Sequence, residues 1–135
     1  MIIELNGSKI ITEPQPKSRN KEQATRSSWK NFPIQNPKKT IVDLKFSRDQ
    51  FFKIKEGLVP QVMEDKWFIF LDADQINIHR SWTGYGIFRA NFIESEGNFL
   101  IKEIYTESDF MSLSQESEIV SLFTQLLSGL MEDPS

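Results

Sequence analysis

The residues best equipped for chemistry lie close together in the middle of the chain. Lys66-Trp67-Phe68-Ile69-Phe70 is followed by His79-Arg80-Ser81-Trp82-Thr83-Gly84, which brings two of the three tryptophans and the single histidine into one short stretch. Arg80 offers a guanidinium fork that reads carboxylates and phosphates through paired hydrogen bonds. A tryptophan face beside it adds a cation–π contact of about 0.5–2 kcal/mol. Lys66, Trp67, His79, Arg80, Trp82 and Thr83 therefore form the expected recognition surface. Its ligand would be an anionic small molecule, nucleotide-like or ADP-ribose-like, or an acidic patch on a partner protein. If Arg80 takes a phosphate, Trp82 or Tyr85 is placed to stack on an attached ring.

His79 is the one catalytic candidate, and a weak one. A general base needs an orienting acid and a substrate proton within reach, and the nearest acids, Glu64 and Asp65, have no spacing that brings them beside it. The plainer reading is a sheet histidine hydrogen-bonded for structure. A second functional reading is a small hydrolase or transferase with His79 as base and Arg80 holding a phosphate. One histidine and no cysteine exclude the usual zinc sets and thiol catalysis. Asp72 and Asp74 fit turn chemistry, so no metal and no cofactor are expected. No Gly-x-Ser-x-Gly elbow and no phosphate-loop pattern occurs. Gly84-x-Gly86 suits a tight turn, with a backbone anion cradle as the sharper alternative.

These residues need a scaffold, and the surrounding sequence describes one. Lys66–Leu71 and Ile76–Arg80 read as a hairpin around Asp72-Ala73-Asp74-Gln75. The expected register sets Leu71 opposite Ile76, Ile69 opposite Ile78, Phe68 opposite His79 and Trp67 opposite Arg80. A second hairpin runs from Gly86–Ile93 through Glu94–Asn98 to Phe99–Tyr105. There Ile93 is expected to face Phe99, Arg89 to face Glu103 and Phe88 to face Ile104. Before the hairpins, Ser47 and Gln50 form a capping box, Phe46 and Phe51 a hydrophobic staple, and Gly57 and Pro60 an end signal, predicting a helix over 48–57. After them, Ile119, Leu122, Phe123, Leu126, Leu127 and Leu130 recur at helical spacing, predicting an amphipathic helix over 115–130 capped by Ser112 or Ser114. The fold class is thus α+β: an antiparallel sheet of about four strands in two consecutive hairpins, 66–106, with helices on either side in sequence.

At 135 residues the chain is expected to be one domain, 1–135. Residues 13–40 read as a basic, proline-containing arm or long loop, with Trp29, Phe32 and Ile34 docking part of it. Asn6-Gly7 suggests a small hairpin before it. Charge is unevenly spread: residues 1–46 carry nine bases and four acids, residues 91–135 one base and nine acids. The arm gives a third reading, a protein–protein adaptor that reaches an acidic partner. A net charge of -3 and missing base-stacking motifs argue against nucleic acid. No apolar run reaches membrane-spanning length and no leader is evident, so a cytoplasmic protein without membrane contact is expected. Nothing in the sequence fixes an oligomeric state.

Phe46 to Arg89, about a third of the chain, resembles a small bacterial family of uncharacterised proteins. Its members carry a Trp-Phe-Ile-aromatic strand, here Trp67-Phe68-Ile69-Phe70, and a His-Arg-Ser-Trp-Thr-Gly loop, here residues 79–84. That family is associated with modules attached to or near ADP-ribose-processing enzymes of the ADP-ribosylglycohydrolase type. The resemblance implies a shared domain and loop, and it implies no reaction.

Overall fold

A computed structural model describes residues 23–110 and 115–132. The chain is α+β, with an antiparallel sheet and two helices. After a short 3-10 turn at Arg26–Ser28 come strand β1 (Pro37–Phe46), helix α1 (Arg48–Glu56), β2 (Trp67–Asp72) and β3 (Gln75–Arg80). Then follow β4 (Gly86–Asn91), β5 (Ile93–Ser95), β6 (Asn98–Glu107) and helix α2 (Glu116–Met131). The strand order is β1-β6-β4-β3-β2, and β5 pairs with β6 off that path. The four expected strands are therefore six.

Local chemistry explains where each element starts. Ser47 Oγ accepts the Gln50 amide at 3.1 Å and Gln50 Oε1 accepts the Ser47 amide at 2.8 Å, closing both halves of the capping box on α1. Gly57 stops the helix in a positive-φ conformation and donates to Ile54 O at 3.0 Å. For α2 the cap differs from expectation. Gln115 is the N-cap residue, and its amide donates to Glu118 Oε1 at 3.0 Å. Ser112 and Ser114 lie outside the described residues, as do the Asn6-Gly7 hairpin and the first ten residues of the arm at 13–22.

The first hairpin keeps the expected register pair for pair, closed by a tighter turn in which Asp72 pairs with Gln75. The second does not. Its turn shrinks to Glu96-Gly97, both at positive φ, which sets Ser95 opposite Asn98 and Ile93 opposite Leu100. A further offset follows at Phe92, so Arg89 faces Tyr105 and Phe88 faces Thr106. The cause is packing. Phe92 leaves the ladder and buries its ring among Phe46, Phe51 and Phe99, with Phe51 stacked on Phe99 at 3.9 Å. The expected Arg89–Glu103 pair is replaced: Arg89 lies over the Tyr105 ring at 4.7 Å, and Glu103 meets Lys39 at 3.6 Å.

The larger core lies on the helix side of the sheet. Ile69, Ile76, Ile78, Phe88, Ile101 and Ile104 pack there against Ile54 of α1 and Ile119, Phe123 and Leu127 of α2. A smaller core of Ala24, Phe68 and Phe70, with Val59 against it, lies on the other side. The arm's described part makes it possible. Residues 23–36 run over the helix-free face, held by Ala24 N to Glu56 O (2.8 Å), Phe32 N to Gly84 O (2.8 Å) and Trp29 Nε1 to Ser81 O (2.7 Å). From residue 37 the segment read as arm becomes strand β1.

Candidate functional site

Side chains alternate across a strand, and that alternation divides the expected surface. Trp67 and Arg80 are cross-strand partners on the helix side. Phe68 and His79 are partners on the face the arm covers. Lys66, Trp82 and Thr83 are exposed at the strand ends. The structure therefore brings Trp67 and Arg80 together, leaves Lys66, Trp82 and Thr83 at the same end of the sheet, and turns His79 the other way.

Arg80 is held by aromatic rings. Its guanidinium carbon lies 5.1 Å from the Trp67 ring centroid and 5.9 Å from that of Phe110. The two rings meet edge to face at 6.2 Å and 79°. Both Trp67 and Arg80 are half-buried. Among the described residues no carboxylate pairs with this cation. Ring faces orient a guanidinium and partly desolvate it while leaving its N–H donors unspent. Such a group is ready to take an oxyanion with two parallel hydrogen bonds. Phe110 was not among the expected site residues. It follows β6 in an irregular turn, where no periodic pattern marks it, and only the return of the chain toward β2 brings it to Arg80.

Three amides of the loop after Arg80 are spent internally: Ser81 N on Lys66 O (2.9 Å), Gly84 N on Arg80 O (2.8 Å) and Tyr85 N on Thr83 Oγ1 (3.1 Å). Gly84 is needed for conformation and for room. Its φ is 79°, and a Cβ there would stand 3.1 Å from Lys30 Cγ and 3.2 Å from Lys30 O, where the arm crosses. Thr83 serves this turn through its hydroxyl. Trp82 is 63% exposed and donates its Nε1 to Met63 O at 3.0 Å. Tyr85 points to Phe32, ring edge to face at 6.2 Å.

His79 is only 4% exposed. Its ring stacks on Phe70 at 5.6 Å and 12°, and its Nδ1 lies 3.0 Å from Gly84 O. A carbonyl accepts, so Nδ1 carries the proton and Nε2 the lone pair. Burial pushes its pKa below the ordinary 6.5; the Gly84 carbonyl opposes that shift and the nearby Arg26 charge adds to it. Among the described residues no acid orients the ring: Asp65 Oδ2 caps Gln61 and Val62 (2.8 and 3.2 Å) and Asp72 binds Arg26 at 2.7 Å. This is the geometry of a structural histidine.

Among the described residues no helix is long and apolar enough to cross a membrane. Comparison of the chain with protein-family models, with curated proteins and with solved structures finds no match.

Proposed function

We propose that the domain is a non-enzymatic binding module that takes an anionic group at Arg80. The group is the phosphate of a nucleotide-like or ADP-ribose-like molecule, or a carboxylate of an acidic protein surface. One observation carries the reading: a half-buried guanidinium held between Trp67 and Phe110 without a carboxylate partner among the described residues. The hydrolase reading has less support, because His79 and Arg80 are neighbours in β3 and project to opposite faces, so one substrate does not meet both. The adaptor reading keeps the exposed bases Lys30 and Lys38 but not a free arm, because Ala24 N, Trp29 Nε1 and Phe32 N bond to the domain itself.

A thermal-shift panel of nucleotides, ADP-ribose and phosphosugars against wild type and Arg80→Ala tests the proposal. A ligand at about 100 times its Kd raises stability by about 2.7 kcal/mol. The expected result is a selective shift in wild type that disappears in the variant. Equal shifts in both proteins would place the anion elsewhere.

A further inference from the structure

His79 owes its burial to the arm. It projects from β3 to the helix-free face of the sheet, and both of its cross-strand partners lie under residues 23–36. On one side the partner is Phe68, which packs with Ala24 in the smaller core. On the other it is Gly86, where the arm passes so close that a Cβ would stand 2.9 Å from Phe32 O and 3.0 Å from Ile34 N. The arm and the ring also share an acceptor. Gly84 O takes Phe32 N at 2.8 Å and His79 Nδ1 at 3.0 Å.

The same segment brings a like charge. Arg26 sets its guanidinium carbon 4.9 Å from the centroid of the Phe70 ring, on which His79 is stacked. Its ion pair with Asp72 is more than half exposed at both partners, so solvent screens it. Among the described residues no other element around His79 sets a carboxylate against it. β2 offers Phe68 and Phe70, with Val59 beside them. β4 offers Gly86, and Arg89 further along lies over Tyr105. The loop offers Tyr85, whose ring meets Phe32. Lys30 of the arm is exposed, and Glu107 is bonded to the Gln35 and Asn36 amides. A proton on His79 thus adds a second cation beside Arg26 where little water reaches, whereas with the arm lifted the ring meets solvent. We propose that residues 23–34 are an acid-released strap, closed over the sheet while His79 is neutral and lifted from it when the ring takes a proton. The sign follows from burial, which lowers the pKa of the closed state. Closure is complete above the ordinary 6.5 and weakens as pH falls to the closed-state value, by up to about tenfold per pH unit for one proton. Glu107 keeps the strap tethered, since its pKa is held below 4.5 and its carboxylate still grips Gln35 and Asn36 in that range. Arg80 projects to the opposite face, so the strap stands whether or not Arg80 binds an anion.

The test is hydrogen exchange of the full chain, read by NMR from about pH 7.5 to about pH 5 and corrected for intrinsic rates. The strap reporters are the Ala24 and Phe32 amides and the Trp29 indole N–H, which bond to Glu56 O, Gly84 O and Ser81 O. The sheet reporters are the Ile76 and Ile78 amides of β3. The strap reporters should be less protected than the sheet reporters at every pH, because the strap opens without the sheet. Their protection should hold above 6.5 and fall below it by up to about tenfold per pH unit. His79→Gln, neutral throughout, should leave strap protection independent of pH. Strap protection that stays flat below 6.5 in wild type would overturn the proposal. So would strap reporters as protected as those of β3, or a fall that survives His79→Gln. If His79→Gln does not fold, the ring's own titration in wild type takes its place. Strap protection must then stop falling at the pH where His79 titrates in the closed protein, and a fall that continues past that point overturns the proposal.

Discussion

Arg80 shows how alternation along a strand decides which side chain stays accessible. Its neighbour His79 is the more reactive side chain, yet it is turned into a ring stack, whereas the guanidinium keeps donors to spare. If the anion is gripped by the planar fork, a point charge will not replace it. Arg80→Lys should weaken ligand binding about tenfold, or about 1.4 kcal/mol, by calorimetric titration; unchanged affinity would mean charge alone suffices. His79 makes a prediction of opposite kind. Its folded pKa lies below 6.5, so the unfolded chain takes up the proton first as pH falls. Stability contributed by the neutral ring is complete above 6.5 and declines below it, down to the folded pKa. Urea unfolding across that window should show a slope that His79→Gln abolishes. A slope that survives the substitution would assign the proton to another group. Of the site, the sequence revealed the Trp67–Arg80 pair, because a hairpin register brings them together, but not Phe110, whose approach depends on a turn beyond β6.

Among the elements, those with local instructions were legible. α1 announces itself through Ser47, Gln50, Phe46 and Phe51, and β2–β3 through a turn that admits one register for its apolar set. β1 was hidden, because Pro37 and two lysines precede it and the long arm draws the eye, although Val42, Leu44 and Phe46 alternate toward the core. The β4–β6 register was hidden for another reason: a tertiary demand for the Phe92 ring overrode the pairing of charges. Burial creates one local conflict. The Thr40 and Thr106 hydroxyls, on adjacent strands, are buried without a hydrogen-bond partner among the described residues. An unpaired buried hydroxyl costs about 1–3 kcal/mol, so Thr106→Val should raise stability by about 1 kcal/mol in denaturant unfolding. A loss instead would reveal a bridging water that the valine displaces.

At the scale of the whole molecule, the arm changes what the sheet is. An antiparallel sheet commonly leaves one face wet, but residues 23–36 cover part of this one and make Phe68 and Phe70 core. Glu107 anchors the arm's far end. One carboxylate oxygen accepts the Gln35 and Asn36 amides at 2.8 and 3.4 Å, and the other accepts Asp109 N at 3.3 Å. Burial raises the pKa of this carboxyl, but those hydrogen bonds together outweigh it and hold the pKa below the ordinary 4.5. Its stabilisation is therefore present above 4.5 and lost as pH falls through the lower folded value. Glu107→Gln should cost about 1–3 kcal/mol at neutral pH and speed amide exchange at Gln35 and Asn36; unchanged exchange would contradict the anchor. The most direct test of the central claim, that the ring-held guanidinium accepts an anion, is side-chain NMR of Arg80 during titration with ADP-ribose and inorganic pyrophosphate. The account predicts saturable movement of the Arg80 Nε–H resonance together with the Trp67 indole, with no ligand response in Arg80→Ala. An Arg80 signal that stays fixed while other resonances move would contradict it.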